Sequence, residues 1–259
     1  MALFYYSATG NTRLICEHIG SKIPEMELFD ISKKPSFRIE EFGIIGVAIP
    51  VFYLSIPPIV SSFLDSLKIV NNKPAFLLTT YGMMPGKSLK ILGNGLRKKG
   101  FQIFNLLALR MPESFPPFIA KGWTDVNAPN QKEIQLSNDY IESLKRTIKQ
   151  VESGNKIKTK KITIGFFNAI MPVPSNKNNL EKLGAFIVDE QICVSCGKCQ
   201  EACVYQAIIF NGRPSFDKAK CYACFACFNK CPQKAISTTK ISSSAQYHKP
   251  ANNLVEKFL

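Results

Sequence analysis

Eight of the nine cysteines in this 259-residue chain lie in one short segment near its C-terminal end. They form two runs with the spacing C-x2-C-x2-C-x3-C, and the second run repeats the first after 28 residues. An odd number of thiols, with no basic flank and apolar run at the N-terminus, argues against a secreted disulfide framework. Thiols clustered in this way predict metal binding. The runs are Cys193, Cys196, Cys199 and Cys203, followed by Cys221, Cys224, Cys227 and Cys231.

The spacing favours iron–sulfur clusters over zinc. Three thiols on one tight loop can ligate three irons of a [4Fe-4S] cluster, whereas the fourth starts a helix and serves the other cluster. Zinc is the main alternative, because it accepts four thiolates from paired Cys-x2-Cys units. A third cysteine at the same short spacing, twice in register, favours iron. The expected ligands are Cys193, Cys196, Cys199 and Cys231 for cluster 1, and Cys221, Cys224, Cys227 and Cys203 for cluster 2.

The repeat extends beyond the ligands, since Asp189 corresponds to Asp217 and Ala207 to Ala235. Residues 185–238 therefore resemble bacterial-type two-cluster ferredoxins, which implies a small α+β domain with two [4Fe-4S] clusters. Val204 departs from the proline that often follows the fourth cysteine in that family. We expect this departure to change local rigidity and to leave ligation intact.

A second candidate site is the hydroxyl-rich stretch "SATGNT", which lies between a short apolar run and a helical pattern. Hydroxyls, an amide and successive backbone N–H groups at a helix N-terminus suit a phosphate. The stretch has no lysine, so we expect a single terminal phosphate monoester rather than a polyphosphate with its metal. The phosphate-binding candidates are Ser7, Thr9, Gly10, Asn11 and Thr12.

Other nucleotide sites fit less well. A Rossmann site requires G-x-G-x-x-G, and although Asp30 stands at a suitable distance, the glycines are missing. "GMMPGKS" is one residue short of a P-loop and follows the fourth predicted strand rather than the first. An ordinary helix N-cap by Asn11 or Thr12 remains the structural alternative.

"SATGNT" resembles the T/S-x-T-G-N-T phosphate loop of flavodoxins, which implies bound FMN. In that family two further loops enclose the flavin ring, and here these correspond to residues 50–58 and 80–86. The resemblance implies ring contacts from aromatic residues in these loops, with an anchoring role in the loop as the alternative. The candidates are Phe52, Tyr53 and Tyr81, together with Gly82.

The elements that must position this loop alternate between strand and helix patterns. Such alternation predicts a parallel sheet covered on both faces, with ligands at the carboxyl ends of its strands. We therefore expect a flavodoxin-like, doubly wound α/β sheet of five parallel strands. The predicted strands are 3–6, 26–29, 44–49, 75–80 and 101–108, and the predicted helices are 12–21, 59–67, 87–99 and 131–152.

We expect the chain to divide into an FMN-binding domain (1–152), a basic linker and junction (153–183), a two-cluster ferredoxin domain (184–240) and a tail (241–259). We expect the polar tail to be loosely held. A proline-rich excursion at 110–130 either covers the ligand site or is a structural insertion. Cys16 lies in the first predicted helix and is expected to be buried as a small apolar residue.

Composition excludes several classes of protein. The chain is 46% hydrophobic and 20% charged, as in globular proteins. Residues 42–64 carry no charge, but Pro50, Pro57 and Pro58 divide them into strand, loop and helix, so we expect no membrane span. The formal charge is +14, without a basic helix or an arginine-rich arm, so nucleic acid is not an expected partner.

Two clusters, each with charge −2, would leave the protein basic, at about +10. An acidic, ferredoxin-like redox partner is therefore expected, in a cytoplasmic location.

Together the two resemblances describe a flavodoxin–ferredoxin fusion, a type found in anaerobic archaea and bacteria. They imply an electron-transfer oxidoreductase that couples two [4Fe-4S] clusters to FMN, because clusters pass single electrons and a flavin can donate two. No catalytic acid or base stands out in the sequence. The alternatives are an FMN-dependent reductase of a quinone or nitro compound, and a redox or oxygen sensor.

Overall fold

A computed structural model describes residues 1–125, 127–174 and 179–258. Val126 of the predicted excursion, residues 175–178 of the predicted junction and Leu259 of the tail lie outside the described residues. The N-terminal domain contains five strands, β1 (Ala2–Tyr5), β2 (Glu27–Asp30), β3 (Ile45–Pro50), β4 (Lys73–Tyr81) and β5 (Phe101–Arg110). Its helices are α1 (Asn11–Lys22), α2 (Pro58–Ser66), α3 (Ser88–Lys98), the short α4 (Pro116–Ile119) and α5 (Gln131–Glu152).

The five strands form one parallel sheet with the order β2-β1-β3-β4-β5. This confirms the predicted doubly wound, flavodoxin-like sheet. Each predicted strand and long helix is present, and both of its ends lie within two residues of the predicted bounds. β4 and β5 are longer than predicted because they pair with each other over their whole length, from Lys73 and Phe101 to Tyr81 and Arg110.

Apolar side chains of β1 alternate between two cores, one on each face of the sheet. Phe4 packs with α2 and α3 on one face, and Leu3 packs with α1 and α5 on the other. Cys16 is buried in the second core, as expected. The uncharged stretch at 42–64 folds as β3, a loop and most of α2. None of the helices in the described ranges has the length and apolar character needed to cross a bilayer.

The basic linker lies along the edge of the sheet. The Lys160 N–H donates to the Ile103 carbonyl at 2.8 Å, and the Gln102 amide donates to the Ile157 carbonyl at 3.0 Å. Ile162 is buried against α3, where Gly93 leaves room for its side chain. Two short helices follow, α6 (Phe166–Ile170) and α7 (Asn179–Leu183).

The two sequence repeats fold alike in the C-terminal domain. The Asp189 N–H donates to the Ala235 carbonyl, and the Asp217 N–H donates to the Ala207 carbonyl, both at 2.8 Å. Four pairs of residues separated by 28 positions share a positive φ: Gly184 and Gly212, Ser195 and Ala223, Gly197 and Phe225, and Gln206 and Lys234. The elements are β6 (Phe186–Val188), α8 (Lys198–Glu201), β7 (Ile208–Asn211), β8 (Arg213–Phe216), α9 (Ala226–Lys230) and β9 (Ile236–Thr238). β6 pairs with β9 and β7 with β8, both antiparallel.

The C-terminal tail differs from the expectation that it is loosely held. It returns to the N-terminal domain, where Leu254 in α10 (Asn252–Glu256) and Phe258 are buried in the core beside α1 and α5. The Phe258 carbonyl also contacts Nδ1 of His18. Because the two residues are four positions apart, their side chains lie on the same side of the tail. Their burial holds the tail against the N-terminal domain although its other residues are mostly polar.

Replacing Leu254 with alanine tests this packing. A buried leucine truncated to alanine leaves a cavity, so we expect a loss of about 2–5 kcal/mol in the free energy of unfolding. Urea unfolding of the intact protein, followed anaerobically by far-UV circular dichroism, measures the change. The control is Asn253→Ala, which alters an exposed neighbour and should stay within about 0.5 kcal/mol of the parent. Equal unfolding midpoints for the two variants would contradict the observed packing of the tail.

Candidate cofactor sites at the domain junction

The eight clustered cysteines surround two cavities in the C-terminal domain. A cavity of about 340 Å³ is lined by Cys193, Cys196, Cys199 and Cys231. A cavity of about 320 Å³ is lined by Cys203, Cys221, Cys224 and Cys227. The last cysteine of each run thus lies with the first three of the other run. No three cysteine, histidine or acidic side chains in the described part of the chain converge closely enough to hold a single ion.

Backbone turns and N–H groups position the sulfurs. The left-handed residues Gly197 and Phe225 precede α8 and α9, and each of these helices leads to the last cysteine of its run. Behind each last cysteine an N–H donates to its sulfur at 3.2 Å, from Ala207 to Cys203 and from Ala235 to Cys231. Such bonds stabilise negative charge on sulfur. Four thiols around an apolar cavity, with N–H donors behind them, form a donor set that fits a [4Fe-4S] group.

The two cavities differ in their exposure to solvent. Cys196 of the first is exposed, and so is its neighbour Val194. In the second, burial raises the pKa of Cys224 to about 12 and that of Cys227 well above its usual value. A thiolate without nearby positive charge is therefore strongly disfavoured in the second cavity.

The backbone of the predicted phosphate loop is open to an oxyanion. Gly10, with φ of +106°, is the N-cap of α1, and no side chain caps the helix from that position. Oγ of Ser7 accepts from the N–H groups of Gly10 at 3.1 Å and Arg13 at 3.2 Å. The N–H groups of Thr9, Asn11 and Thr12 donate to none of the described residues. Free donors at a helix N-terminus fit a phosphate monoester.

Two polar side chains of this loop bind protein groups. Oγ1 of Thr12 lies 2.8 Å from Oγ1 of Thr80. The Asn11 amide donates to the Pro112 carbonyl at 3.0 Å and accepts from the Tyr247 hydroxyl at 2.7 Å. Asn11 and Thr12 therefore fasten the loop to its neighbours, and neither acts as the N-cap that was the structural alternative.

The C-terminal tail covers the outer side of the loop. Tyr247 reaches Asn11, and a Cβ atom on Gly10 would lie 2.7 Å from Cδ of Pro250. Burial raises the pKa of Tyr247 to about 12, so its hydroxyl keeps its proton and donates to Asn11. A side chain at position 10 would have to displace the tail. No local pattern in the sequence indicates this contact, because the residues are more than 230 positions apart.

A cleft of about 1160 Å³ opens at the carboxyl ends of the strands, between the two domains. Four of the predicted ring-binding and loop residues line it: Thr9, Phe52, Tyr53 and Gly82. Among the ring candidates only Tyr81, which ends β4 opposite Arg110, lies outside the lining. The phosphate-loop candidates Ser7, Gly10, Asn11 and Thr12 also lie outside it. Met83 and Met84 of the predicted loop 80–86 also line the cleft, as does Cys224, which the cysteine spacing assigns to cluster 2. Lining residues without a predicted role include Glu113, Ser114, Phe115, Phe118 and Ala223.

The excursion after β5 forms one wall of the cleft. The Glu113 carboxylate accepts from the Met83 N–H at 3.1 Å and from the Ser114 and Phe115 N–H groups at 2.8 and 2.9 Å. Gly82 permits this approach, because a Cβ atom there would collide with Glu113. The excursion therefore closes against the loop after β4. In the sequence, only the position of the excursion directly after the last strand indicates that it borders the carboxyl ends of the strands, where ligands bind.

Tyr53 joins the cleft to the C-terminal domain. Its hydroxyl donates to the Ala223 carbonyl at 2.8 Å, and burial raises its pKa, which keeps the proton on the phenol. Its ring meets Phe115 edge to face at 5.4 Å between centroids, and Phe115 meets Phe225 in the same way at 5.6 Å. The next residue after Ala223, Cys224, lines both the cleft and the second cysteine cavity.

Comparisons with known families match the N-terminal and the C-terminal parts of the chain to two different families. The family profile described as "Flavodoxin domain" matches residues 2–109, and the profile described as "4Fe-4S dicluster domain" matches residues 185–244. A segment of 60 residues, 22% of the chain, is 43% identical to a ferredoxin of Pyrobaculum islandicum and spans 56% of that protein. The chain thus spans little more than half the length of this curated relative.

Two further proteins each match somewhat more than half of the chain. An uncharacterized protein of Methanocaldococcus jannaschii is 26% identical over 136 residues, which are 52% of this chain and 89% of that protein. A solved flavodoxin from the domain Archaea aligns with 57% of this chain and 98% of its own, at 17% identity and a TM-score of 0.42. The chain thus carries a flavodoxin domain followed by a 4Fe-4S dicluster domain in one polypeptide, which is the arrangement of a flavodoxin–ferredoxin fusion.

Proposed function

We propose that this flavin and iron–sulfur electron-transfer protein passes electrons between two [4Fe-4S] clusters and FMN within one chain. The observation that carries the proposal is the shared position of Cys224, in the walls of both the cleft and the second cysteine cavity. Electron transfer slows steeply as two redox centres move apart. A cysteine ligand at the border of a flavin site would bring the two centres close together.

The proposed cluster ligands are the four cysteines that line each cavity. Cluster 1 takes Cys193, Cys196, Cys199 and Cys231, and cluster 2 takes Cys221, Cys224, Cys227 and Cys203. Zinc binds sulfur at about 2.3 Å and would draw four sulfurs together around one point. Four cysteines arranged around the wall of each cavity, rather than around one point, favour a cluster as the occupant.

The proposed FMN site combines the phosphate loop with the cleft. The free N–H groups of Thr9, Asn11 and Thr12 would bind the phosphate, while Phe52 and Tyr53 would contact the ring from one loop and Gly82 from another. When bound, the flavin supplies exchange between single electrons and electron pairs. The protein holds the phosphate end, shapes the ring pocket and excludes water with the excursion and the C-terminal domain.

The order of the sites suggests a direction for the path. The cleft borders the second cavity, and the first cavity reaches the surface at Cys196. A soluble carrier would therefore exchange electrons at cluster 1, and cluster 2 would connect it to the flavin. The basic charge of the chain favours an acidic carrier through electrostatic steering, and the thiol-rich composition favours a reducing, cytoplasmic location.

Cofactor content tests the proposal directly. Protein purified anaerobically should contain about eight iron atoms, about eight inorganic sulfides and about one FMN per chain. Cys16→Ser is the matched control, because Cys16 is buried in the N-terminal core and should leave iron content unchanged. Cys224→Ser should lower it. Zinc in place of iron would contradict the cluster assignment, and iron without FMN would contradict the flavin assignment.

The contact between Tyr53 and Ala223 provides a test of the proposed path. Tyr53→Phe removes the hydroxyl donor and keeps the ring, so iron and FMN content should stay unchanged while electron transfer between flavin and clusters slows about two- to tenfold. Anaerobic stopped-flow absorbance, with reduction of the clusters and of the flavin followed separately, measures this step. Tyr5→Phe is the control, since Tyr5 belongs to the core beside α1. An unchanged rate would show that the hydroxyl does not set the spacing of the centres.

A further inference from the structure

The segment between the two domains exposes large apolar side chains that the proposed electron path does not use. In α6, Phe166 and Phe167 are 74% and 77% exposed, and Ile170 is 60% exposed. Val173 lies just beyond them and is also exposed. Adjacent exposed aromatic residues are unusual on a globular surface and mark a site that binds a protein, a membrane or a ligand.

The same segment is strongly basic. Residues 153–180 contain five lysines and no acidic residue. Lys156, Lys158 and Lys161 precede α6 and are exposed, and no described carboxylate forms an ion pair with them. The surface that α6 would contact is therefore expected to be negatively charged.

We propose that this basic apolar segment, residues 156–173, binds the surface of a lipid bilayer that contains anionic lipids. Phe166, Phe167 and Ile170 would enter the boundary between headgroups and acyl chains, and the lysines would lie among the lipid phosphates. This mode of binding needs neither a spanning helix nor a preformed groove.

The exposure of the side chains favours lipid over a protein partner. Phenylalanines that are about three-quarters exposed have few neighbours of their own chain and stand out from the surface. In a bilayer each apolar side chain can insert separately among the lipids. The core of a protein interface, in contrast, is a closely packed patch with few charges. A run of lysines without acids matches a uniformly anionic surface better than it matches the mixed charges of a protein surface.

Membrane binding would also orient the cleft. Met171 and Pro174, which follow α6, line the cleft. Contact through residues 156–173 would therefore bring the mouth of the cleft close to the lipid surface, within reach of an electron acceptor dissolved in the membrane. Only this consequence rests on the proposed function, because binding of the surface itself does not require FMN in the cleft.

Co-sedimentation of the intact, anaerobically purified protein with lipid vesicles tests the proposal. We expect binding to vesicles of equal parts phosphatidylglycerol and phosphatidylcholine, weaker binding to phosphatidylcholine alone, and loss of binding as salt is raised. The double variant Phe166→Ser and Phe167→Ser should bind at least about tenfold more weakly, because two apolar side chains no longer leave water. The double variant Lys158→Gln and Lys161→Gln should lose most of the preference for anionic vesicles.

Matched controls distinguish binding by residues 156–173 from nonspecific vesicle binding by other exposed apolar or basic side chains. Ile69→Ser changes a side chain that is 80% exposed and lies between α2 and β4, so it should bind as the parent does. Lys33→Gln with Lys34→Gln removes the same charge from another exposed site and should also leave binding nearly unchanged. Iron content and far-UV circular dichroism show whether each variant is folded.

Three results would overturn the proposal: no binding to either kind of vesicle at low salt, parental binding by the double phenylalanine variant, and equal losses in the control variants. Slower reduction by an acidic soluble carrier in the phenylalanine variant, without vesicle binding by the parent, would assign the surface to a protein partner instead. A chain that binds vesicles and contains iron but no FMN would contradict the proposed function and support the membrane contact.

Discussion

The cleft of the flavodoxin domain and one cysteine cavity of the ferredoxin domain share a wall at Cys224, and much of the structure serves to hold this wall in place. Tyr53 donates to the carbonyl of the preceding residue, and Phe115 packs between Tyr53 and Phe225. These contacts come from a loop of the sheet, from the excursion after β5 and from a cysteine loop. A flexible tether could not maintain such an arrangement, and the linker is bound along β5 rather than free.

The two repeats of the ferredoxin domain are equivalent in backbone but not in surroundings. Cys196 and Cys224 occupy the same position of the repeat, yet one is exposed and the other borders the cleft. Gly197 and Phe225 share a left-handed conformation, which glycine adopts without strain and phenylalanine adopts while its ring is fully packed. Val204, where ferredoxins often have proline, packs against the core of the flavodoxin domain. Cys224 and Val204 thus lie where their repeats contact the rest of the chain, whereas Cys196 faces solvent.

The phosphate loop shows how distant segments complete a local motif. Its backbone N–H groups are free for an oxyanion because other groups hold the loop in shape: Ser7 from within it, Thr80 from β4 and Tyr247 from the tail. The tail can do this because Leu254 and Phe258 anchor it in the core beside α1. Such an arrangement explains how a loop without lysine can be rigid enough to receive a phosphate.

The sequence by itself determined the order of strands and helices, the parallel sheet and the internal repeat of the cysteine region. These follow from local patterns: apolar periodicity sets each element, and fixed cysteine spacing sets each metal-binding turn. The resemblance of "SATGNT" to the flavodoxin phosphate loop also implied a cofactor role for Thr9, Phe52, Tyr53 and Gly82, and these four residues line the cleft. Only the tertiary structure decided that the excursion lines the cleft, that the tail covers the phosphate loop and that Cys224 rather than Cys196 meets the cleft. Those contacts join residues that are distant in sequence, and the patterns of single segments carry no information about which distant surfaces will pack together.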